Sequence, residues 1–335
     1  MNKRAVKPDF HKALSEPGFY AEANRQVKYQ ESDDFWVFKT GDWVYKVKKR
    51  ESSASGIALE EAFCSEMVAQ AGLHSPGLET SVLRLVETDG HWHLKESAPL
   101  SEVRYLVLKQ RQLIDKGFVD HMLEKGQLKS KHVAQIAQAL WRFHSAEGPK
   151  TPPRQPGPAE LQQALANGFY QSKKFLGIGL TKPMIDRSTR PLEKYLEDHK
   201  KIFNRRLKRG FVGHYHGLVE PRKIHWTPQG VNFLNRGGDP IKDRHGDRAS
   251  DLAQFMAHLI HLGKDDLAQA FYAEYLALSA DKELAVVIPF YQALCCLNTG
   301  HKHQQAAAGG EADAALETQK AKAWFEQVVA IAVSL

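Results

Sequence analysis

Groups able to bind phosphate, ligate metal or act as nucleophiles all occur in this sequence, and their spacing separates chemistry from scaffold. Lys46, Lys48, Lys49 and Arg50 form a basic run on a β-rich segment, Trp43 to Lys48. Taken alone, a lysine there reads as an exposed strand residue. There is no Walker-type Gly-Lys-Ser/Thr, and no Gly-x-Gly-x-x-Gly precedes Lys46, so neither common glycine-rich phosphate loop is present. His91-Trp92-His93 and His301-Lys302-His303 lack carboxylate or cysteine partners at ligand spacing. They read as strand and loop histidines, and no metal site is expected. Cys295 and Cys296 fall in an apolar helical run and read as core. The densest charge is Lys200 to Arg209; a helix of this kind suits nucleic acid or an acidic protein, although a solvated face is the commoner fate.

The elements that position these groups follow from patterning. Phe35–Lys39 and Trp43–Lys48 flank a Gly41 turn and predict a hairpin. Leu59, Ala62, Phe63, Met67 and Val68 recur at helical spacing over 58–71, with Gly72 as a stop. Val82–Thr88 and Trp92–Glu96 flank Asp89-Gly90, and Val103–Leu108 adds a further strand. The first thirty residues read as helical or irregular. After residue 110 the pattern turns helical: Lys131–His144, Ala159–Lys174 and Leu192–Arg209, with a Pro-rich loop over 150–158. A second hairpin pairs Ile224–Trp226 with Val231–Leu234. Helices are then predicted over 249–263, 265–278 and 283–297, followed by a polar connector, 301–310, and a last helix from Ala312. The fold class is α+β, divided into an extension (1–27), a β-rich lobe (28–108), a helical lobe (109–300), and a connector with its helix (301–335).

Composition bounds the rest. With 335 residues, 42% hydrophobic and 25% charged, the chain can build a substantial core. No run of apolar residues is long enough to span a bilayer, and the basic start Met1-Asn2-Lys3-Arg4 has no apolar stretch behind it. Three cysteines, two of them adjacent, suit reduced thiols in a cytoplasm. The 46 Lys and Arg exceed the 39 Asp and Glu, a net +7, which hints at an anionic partner.

Seven segments in order resemble the aminoglycoside phosphotransferase-like branch of the protein-kinase-like fold. The resemblance is to the bacterial group described as aminoglycoside phosphotransferase/ATP-binding proteins. Thr40-Gly41-Asp42-Trp43-Val44-Tyr45-Lys46 is similar to that group's β-strand. Ala62-Phe63-Cys64-Ser65-Glu66 is similar to its following helix. Val103–Arg111, Leu123–Leu128, Trp141–His144, Ala249–Ala253 and Pro289–Ala293 follow its later pattern, so the resemblance spans roughly residues 28 to 300. It implies a two-lobed kinase-like fold. Lys46 would contact nucleotide phosphates and Glu66 would pair with it, although Glu60 and Glu61 are nearby competitors for that role.

The catalytic loop of that family reads His-Gly-Asp-x-x-x-x-Asn, followed by a hairpin and a strand ending in Asp. The first Asp serves the acceptor hydroxyl, and the Asn and last Asp hold magnesium. In this chain the segment is His216-Gly217-Leu218-Val219-Glu220-Pro221-Arg222-Lys223. Leu218 takes the place of the base, Lys223 that of the Asn, and Asn235 that of the metal-binding Asp. Replacing Asp, Asn and Asp by Leu, Lys and Asn makes the site three charges more positive. Substitutes to weigh are Asp239, four residues beyond Asn235, and Glu220, two beyond Leu218. His245-Gly246-Asp247 mimics the tripeptide but has neither the Asn nor the hairpin after it, so it reads as coincidence. Asp251, on the helix just after it, reads as the residue that braces the loop, with His216 as its structural partner.

Three functional readings result. The first is a pseudokinase of aminoglycoside-phosphotransferase type, a binding or regulatory module that holds ATP, another nucleotide or an anion without magnesium. The second is an active small-molecule phosphotransferase that uses Asp239 or Glu220. The third is a basic-surface module binding nucleic acid or an acidic protein through Lys200–Arg209. Phosphate-bearing small molecules and a protein are the favoured partners, nucleic acid is the least favoured, and no membrane is expected.

Overall fold

The computed structural model describes residues 7–21, 26–31, 35–49, 56–62, 64–65, 68, 75, 78–146, 157–234, 245–310 and 313–335. The polypeptide forms two compact units: Met1–Phe118 with His225–Pro240, and Val119–Ile224 with Ile241–Leu335.

The first unit is built on a six-stranded antiparallel sheet. Helix α1 (His11–Ser15) and a 3-10 turn (Pro17–Phe19) precede β1 (Lys28–Glu31), β2 (Phe35–Thr40) and β3 (Trp43–Lys48). A helix, α2, runs through residues 56–62, and β4 (Thr80–Thr88), β5 (His91–Lys95) and β6 (Val103–Arg111) complete the sheet in the order β1-β2-β3-β6-β4-β5. The β4–β5 turn places Asp89 at φ 52° and Gly90 at φ 75°, the doubly left-handed geometry whose twist matches flanking strands. Strand β1 adds to what the sequence predicts for the first thirty residues. Its Lys-Tyr-Gln-Glu is mostly exposed at the sheet edge, so it carries no hydrophobic alternation to read.

One face of this sheet is closed by the N-terminal segment. Phe10, Leu14 and Tyr20 are buried against Phe38, Tyr45, Val47, Leu85 and Val107. Phe10 meets Trp36, Trp92 and Tyr105 edge-on at centroid distances of 5.2, 5.8 and 4.8 Å, the geometry aromatic quadrupoles favour. A second cluster of Ile57, Val86, Val103 and Leu106 lies where α2 meets the sheet. A short hairpin of β8 (Ile224–Thr227) and β9 (Gly230–Phe233) also contributes residues to this unit.

The second unit is mainly helical: α3 (Val119–Glu124), α4 (Ser130–Ser145), α5 (Pro158–Lys173), α6 (Lys182–Asp198) and α7 (Lys200–Lys208), then α8 (Arg248–His261), α9 (Asp265–Ser279), α10 (Leu284–Gly309) and α11 (Ala314–Ser334). Strands β7 (Val212–His214) and β10 (His245–Asp247) pair antiparallel immediately before α8. No helix of the described residues is long and apolar enough to cross a membrane.

Two helices differ from the sequence expectation. The single helix expected over 192–209 is two, broken at His199, and the first begins ten residues earlier at Lys182. Pro191 reads as a helix start because its φ suits the first turn, yet it lies inside α6. The connector expected over 301–310 is instead the continuation of α10, which runs unbroken for 26 residues. Its polar, small residues pack: a Cβ on Gly300 would lie 2.9 Å from the Phe325 ring of α11, and buried Gln304 donates to the carbonyls of Phe175 and Ile178.

Within the basic stretch Arg206 is internal, while Lys200, Lys201, Arg205, Lys208 and Arg209 are exposed. Arg206 is fully buried and donates to both oxygens of Asp247 (2.7 and 2.8 Å) and both of Asp281 (2.9 and 2.7 Å). Arg205 is ion-paired with Glu283, which Arg209 also approaches, and Lys200 reaches Glu197. Substituting Arg206 by Met strands two buried carboxylates, so denaturant titration is expected to show a loss of about 3–5 kcal/mol. Adding Asp247→Asn and Asp281→Asn should recover part of it.

Candidate functional site

The loop from Tyr215 to Lys223 is held from below by α8. The buried Asp251 carboxylate accepts the His216 N–H at 2.6 Å and the Gly217 N–H at 2.7 Å. Gln254, one turn on, accepts the Val219 N–H at 2.6 Å. Gly217 sits at φ 73° with the Tyr215 ring packed 3.2 Å from where a Cβ would be, so both conformation and space require glycine there. The Leu218 N–H donates to His216 Nδ1 at 3.3 Å, closing a small ring.

The brace reaches further into the helical unit. His144 on α4, fully buried, contacts Asp251 Oδ2 through Nε2 at 3.0 Å and the Tyr275 hydroxyl of α9 through Nδ1 at 2.7 Å. An ionised carboxylate only accepts, so Nε2 carries the proton and Nδ1 accepts from Tyr275. Burial pushes the His144 imidazole toward its neutral form, against the pull of Asp251. Burial would raise the Asp251 carboxyl, but hydrogen bonding and charge from His144, with His216, hold it below the usual range.

Above this brace lie Leu218, Glu220 and Lys223. Leu218 is 8% exposed. Lys223 closes the 3-10 turn Pro221–Lys223. It is half-buried; its backbone N–H donates to the Glu220 carbonyl at 2.8 Å, and its ammonium has no hydrogen-bond or ion-pair partner among the described residues. Burial and the Arg222 charge lower its ammonium, partly offset by Glu220. Glu220 is buried, with Arg222 Nε at 2.8 Å and Lys302 Nζ at 3.4 Å on its two oxygens. Burial favours its protonated form, but the Lys302 and Arg222 charges outweigh this and keep it ionised. His258 lies within electrostatic reach of Glu220, Arg222 and Lys302, and burial drives its pKa to about 4.

In the β-rich unit, Lys46 on β3 donates to Gln110 Oε1 of β6 at 2.6 Å. The neighbouring cations are taken by carboxylates: Lys48 by Glu60 at 3.1 Å and Lys49 by Glu31 at 2.8 Å. Glu61 holds Arg84 at 2.5 Å. Both sequence competitors of Glu66 are therefore engaged with cations other than Lys46. Glu66, Asn235 and Asp239 lie outside the described residues. Asp247, of the tripeptide mimic, caps α8 by accepting the Ala249 N–H and pairs with Arg206. His303 is hydrogen-bonded to Glu317 of α11 at 2.6 Å, a carboxylate partner too distant in sequence for the spacing to reveal.

His144, Gln254, Tyr275, Lys302 and His258 were given no role by the sequence. Their helical periodicity marks them as facing neighbours, but not which neighbours. The folded His258 imidazole stays neutral down to about pH 4, whereas an unfolded one takes its proton near 6.5. Stability is therefore intact above pH 6.5 and falls as pH drops toward 4, by up to about 3 kcal/mol from this one group. Urea titrations at pH 7.5 and 4.5 should show that His258→Gln flattens the fall.

With this geometry in hand, known folds are informative. The choline/ethanolamine kinase family protein from Mesorhizobium loti matches with a TM-score of 0.55 at 14% identity, over 98% of this chain and 100% of that one. A thermostable mutant of aminoglycoside phosphotransferase APH(4)-Ia matches at 0.52, with 12% identity over 90% and 94% of the two chains. Amicoumacin kinase hAmiN, solved in complex with AMP-PNP, Ca2+ and Ami, matches at 0.51, with 12% identity over 95% and 91%. Neither a protein-family profile nor a curated protein sequence matches the chain. The chain has the two-lobed, protein-kinase-like fold of the choline kinases and aminoglycoside phosphotransferases.

Proposed function

We propose that this protein is a pseudokinase: a module that binds a nucleotide or another phosphate-bearing anion without magnesium and transfers no phosphoryl group. The observation that carries this reading is the pair Leu218 and Lys223 on a fully braced loop. A leucine cannot take a proton or orient a hydroxyl, and loss of a positioned general base costs about 10²–10⁴-fold in rate. The magnesium position does not fit the metal, because Lys223 puts an ammonium where an oxygen ligand is needed. A half-buried ammonium without a described counter-ion instead favours an anion, whose arrival would offset its desolvation. Lys46, in the β-rich unit, is the residue that the family resemblance assigns to phosphate contact.

The active-enzyme reading would need Glu220 or Asp239 as base. Glu220 is a poor candidate because its two oxygens are occupied by Arg222 and Lys302 and its proton affinity is lowered. Asp239 lies outside the described residues. The basic-surface reading loses Arg206, which is buried against Asp247 and Asp281, while the exposed Lys200 and Arg205 have carboxylates beside them.

Thermal-shift titration with ATP and ADP, in magnesium and in chelator, tests the proposal. Equal stabilisation in both buffers is expected, lost in Lys223→Met, with no ATP turnover in the wild type. Leu218→Asp should not restore turnover alone, because the metal positions stay substituted. Metal-dependent binding with turnover would overturn the pseudokinase reading. A shift absent under all conditions would remove the nucleotide from it.

A further inference from the structure

The side chains around Glu220 form a second feature that the reading above does not use. Its carboxylate is 4% exposed, while the two cations it holds are 63% (Arg222) and 54% (Lys302) exposed. The negative group is therefore underneath and the positive groups are on the solvent side. Arg222 spends only Nε on Glu220, and among the described residues its two terminal nitrogens have no partner. Lys302 has Glu220 as its one hydrogen-bond acceptor among the described residues, which leaves two of its three donors unused. Lys223 follows Arg222 in the chain but does not pair with Glu220, so two cations, Arg222 and Lys302, share the one carboxylate. This arrangement joins the loop after Leu218 to α10, and it exists because α10 continues as helix through Lys302.

From this geometry we infer that the second unit carries an oxyanion site formed by Arg222 and Lys302, with Glu220 positioning both. Its ligand is the phosphate group of a small phosphomonoester or free phosphate. A guanidinium fork and a neighbouring ammonium match the oxygens of a phosphate dianion, through charge-assisted hydrogen bonds that a single carboxylate does not saturate. Ligand chemistry here is therefore the reverse of a cationic amine: a quaternary ammonium or polyamine would be repelled. The site uses neither Lys46 nor the Lys223 ammonium. Glu220 is a positioning residue that also limits affinity, because it contributes the one negative charge beside the ligand.

Calorimetric titration of the full chain with inorganic phosphate, glycerol phosphate and choline, at low ionic strength and without nucleotide, tests the assignment. Saturable binding of phosphate and glycerol phosphate is expected, with none for choline. Arg222→Gln with Lys302→Gln, both at exposed positions, should weaken it by about tenfold or more, with circular dichroism unchanged. Glu220→Gln should tighten it several-fold; a purely structural ion-pair triad would not produce that gain. Tighter binding of glycerol phosphate than of phosphate assigns an organic phosphomonoester, and equal binding assigns the free ion. Saturable choline binding overturns the inference, as does phosphate binding that is indifferent to the double substitution. Binding abolished by Lys223→Met but retained in the double variant would assign the anion to Lys223, leaving the nucleotide reading intact and this one refuted.

Discussion

Asp251 carries a full negative charge with no solvent contact, and the loop from His216 to Val219 takes its shape from that carboxylate. Burying such a charge costs several kcal/mol unless its acceptor sites are filled. Here two backbone N–H groups and one imidazole fill them. The imidazole is in turn fixed in one tautomer by Tyr275. Three helices, α4, α8 and α9, are thereby locked to one turn of chain. Because the brace acts through backbone N–H groups, it does not depend on the side chain at position 218. The side chain at position 218 can therefore change without disturbing the loop.

The same principle, a buried carboxylate completed by cations, recurs twice. Asp247 and Asp281 surround Arg206, and Glu220 draws in Arg222 and Lys302. In the first case the cation is the buried partner and the charges close on themselves. In the second the carboxylate is buried and the cations remain exposed. A surplus of +7 over the whole chain is therefore not spread evenly as surface potential. In the densest basic stretch, 200–209, Arg206 alone is spent on internal pairing, whereas Arg222 and Lys302, 80 positions apart, share one buried carboxylate.

What was legible in the sequence had short-range causes. The β2–β3 and β4–β5 hairpins are announced by alternation and by Gly41 and Asp89-Gly90, whose left-handed turns only a few residue types accept. Helices α4, α8 and α9 follow from apolar spacing within a few turns. Asp251 was readable because the loop it serves has a recognisable order. The extent of α6 and α10 was not, since Pro191 and the Ala/Gln-rich end of α10 argue locally for boundaries that packing on α11 and α5 overrides. Nor could local pattern supply His144 for Asp251, 107 residues away, or Lys302 for Glu220, 82 residues away. Such pairings exist only once distant helices are packed.

The aromatic cage around Phe10 has a consequence for the order of events during synthesis. Phe10, Leu14 and Tyr20 are made before any of the strands they cover, and Tyr105 and Val107, which complete their binding surface, lie on β6. Phe38, Tyr45 and Val47 of β2 and β3 offer these apolar side chains part of their native surface early, but the part supplied by β6 is missing until roughly a hundred residues have been added. Contacts of such long sequence separation are slow to close and expose the chain to misassociation meanwhile. The cover that Phe10 and its neighbours give the β-rich unit is thus completed only when β6 is in place.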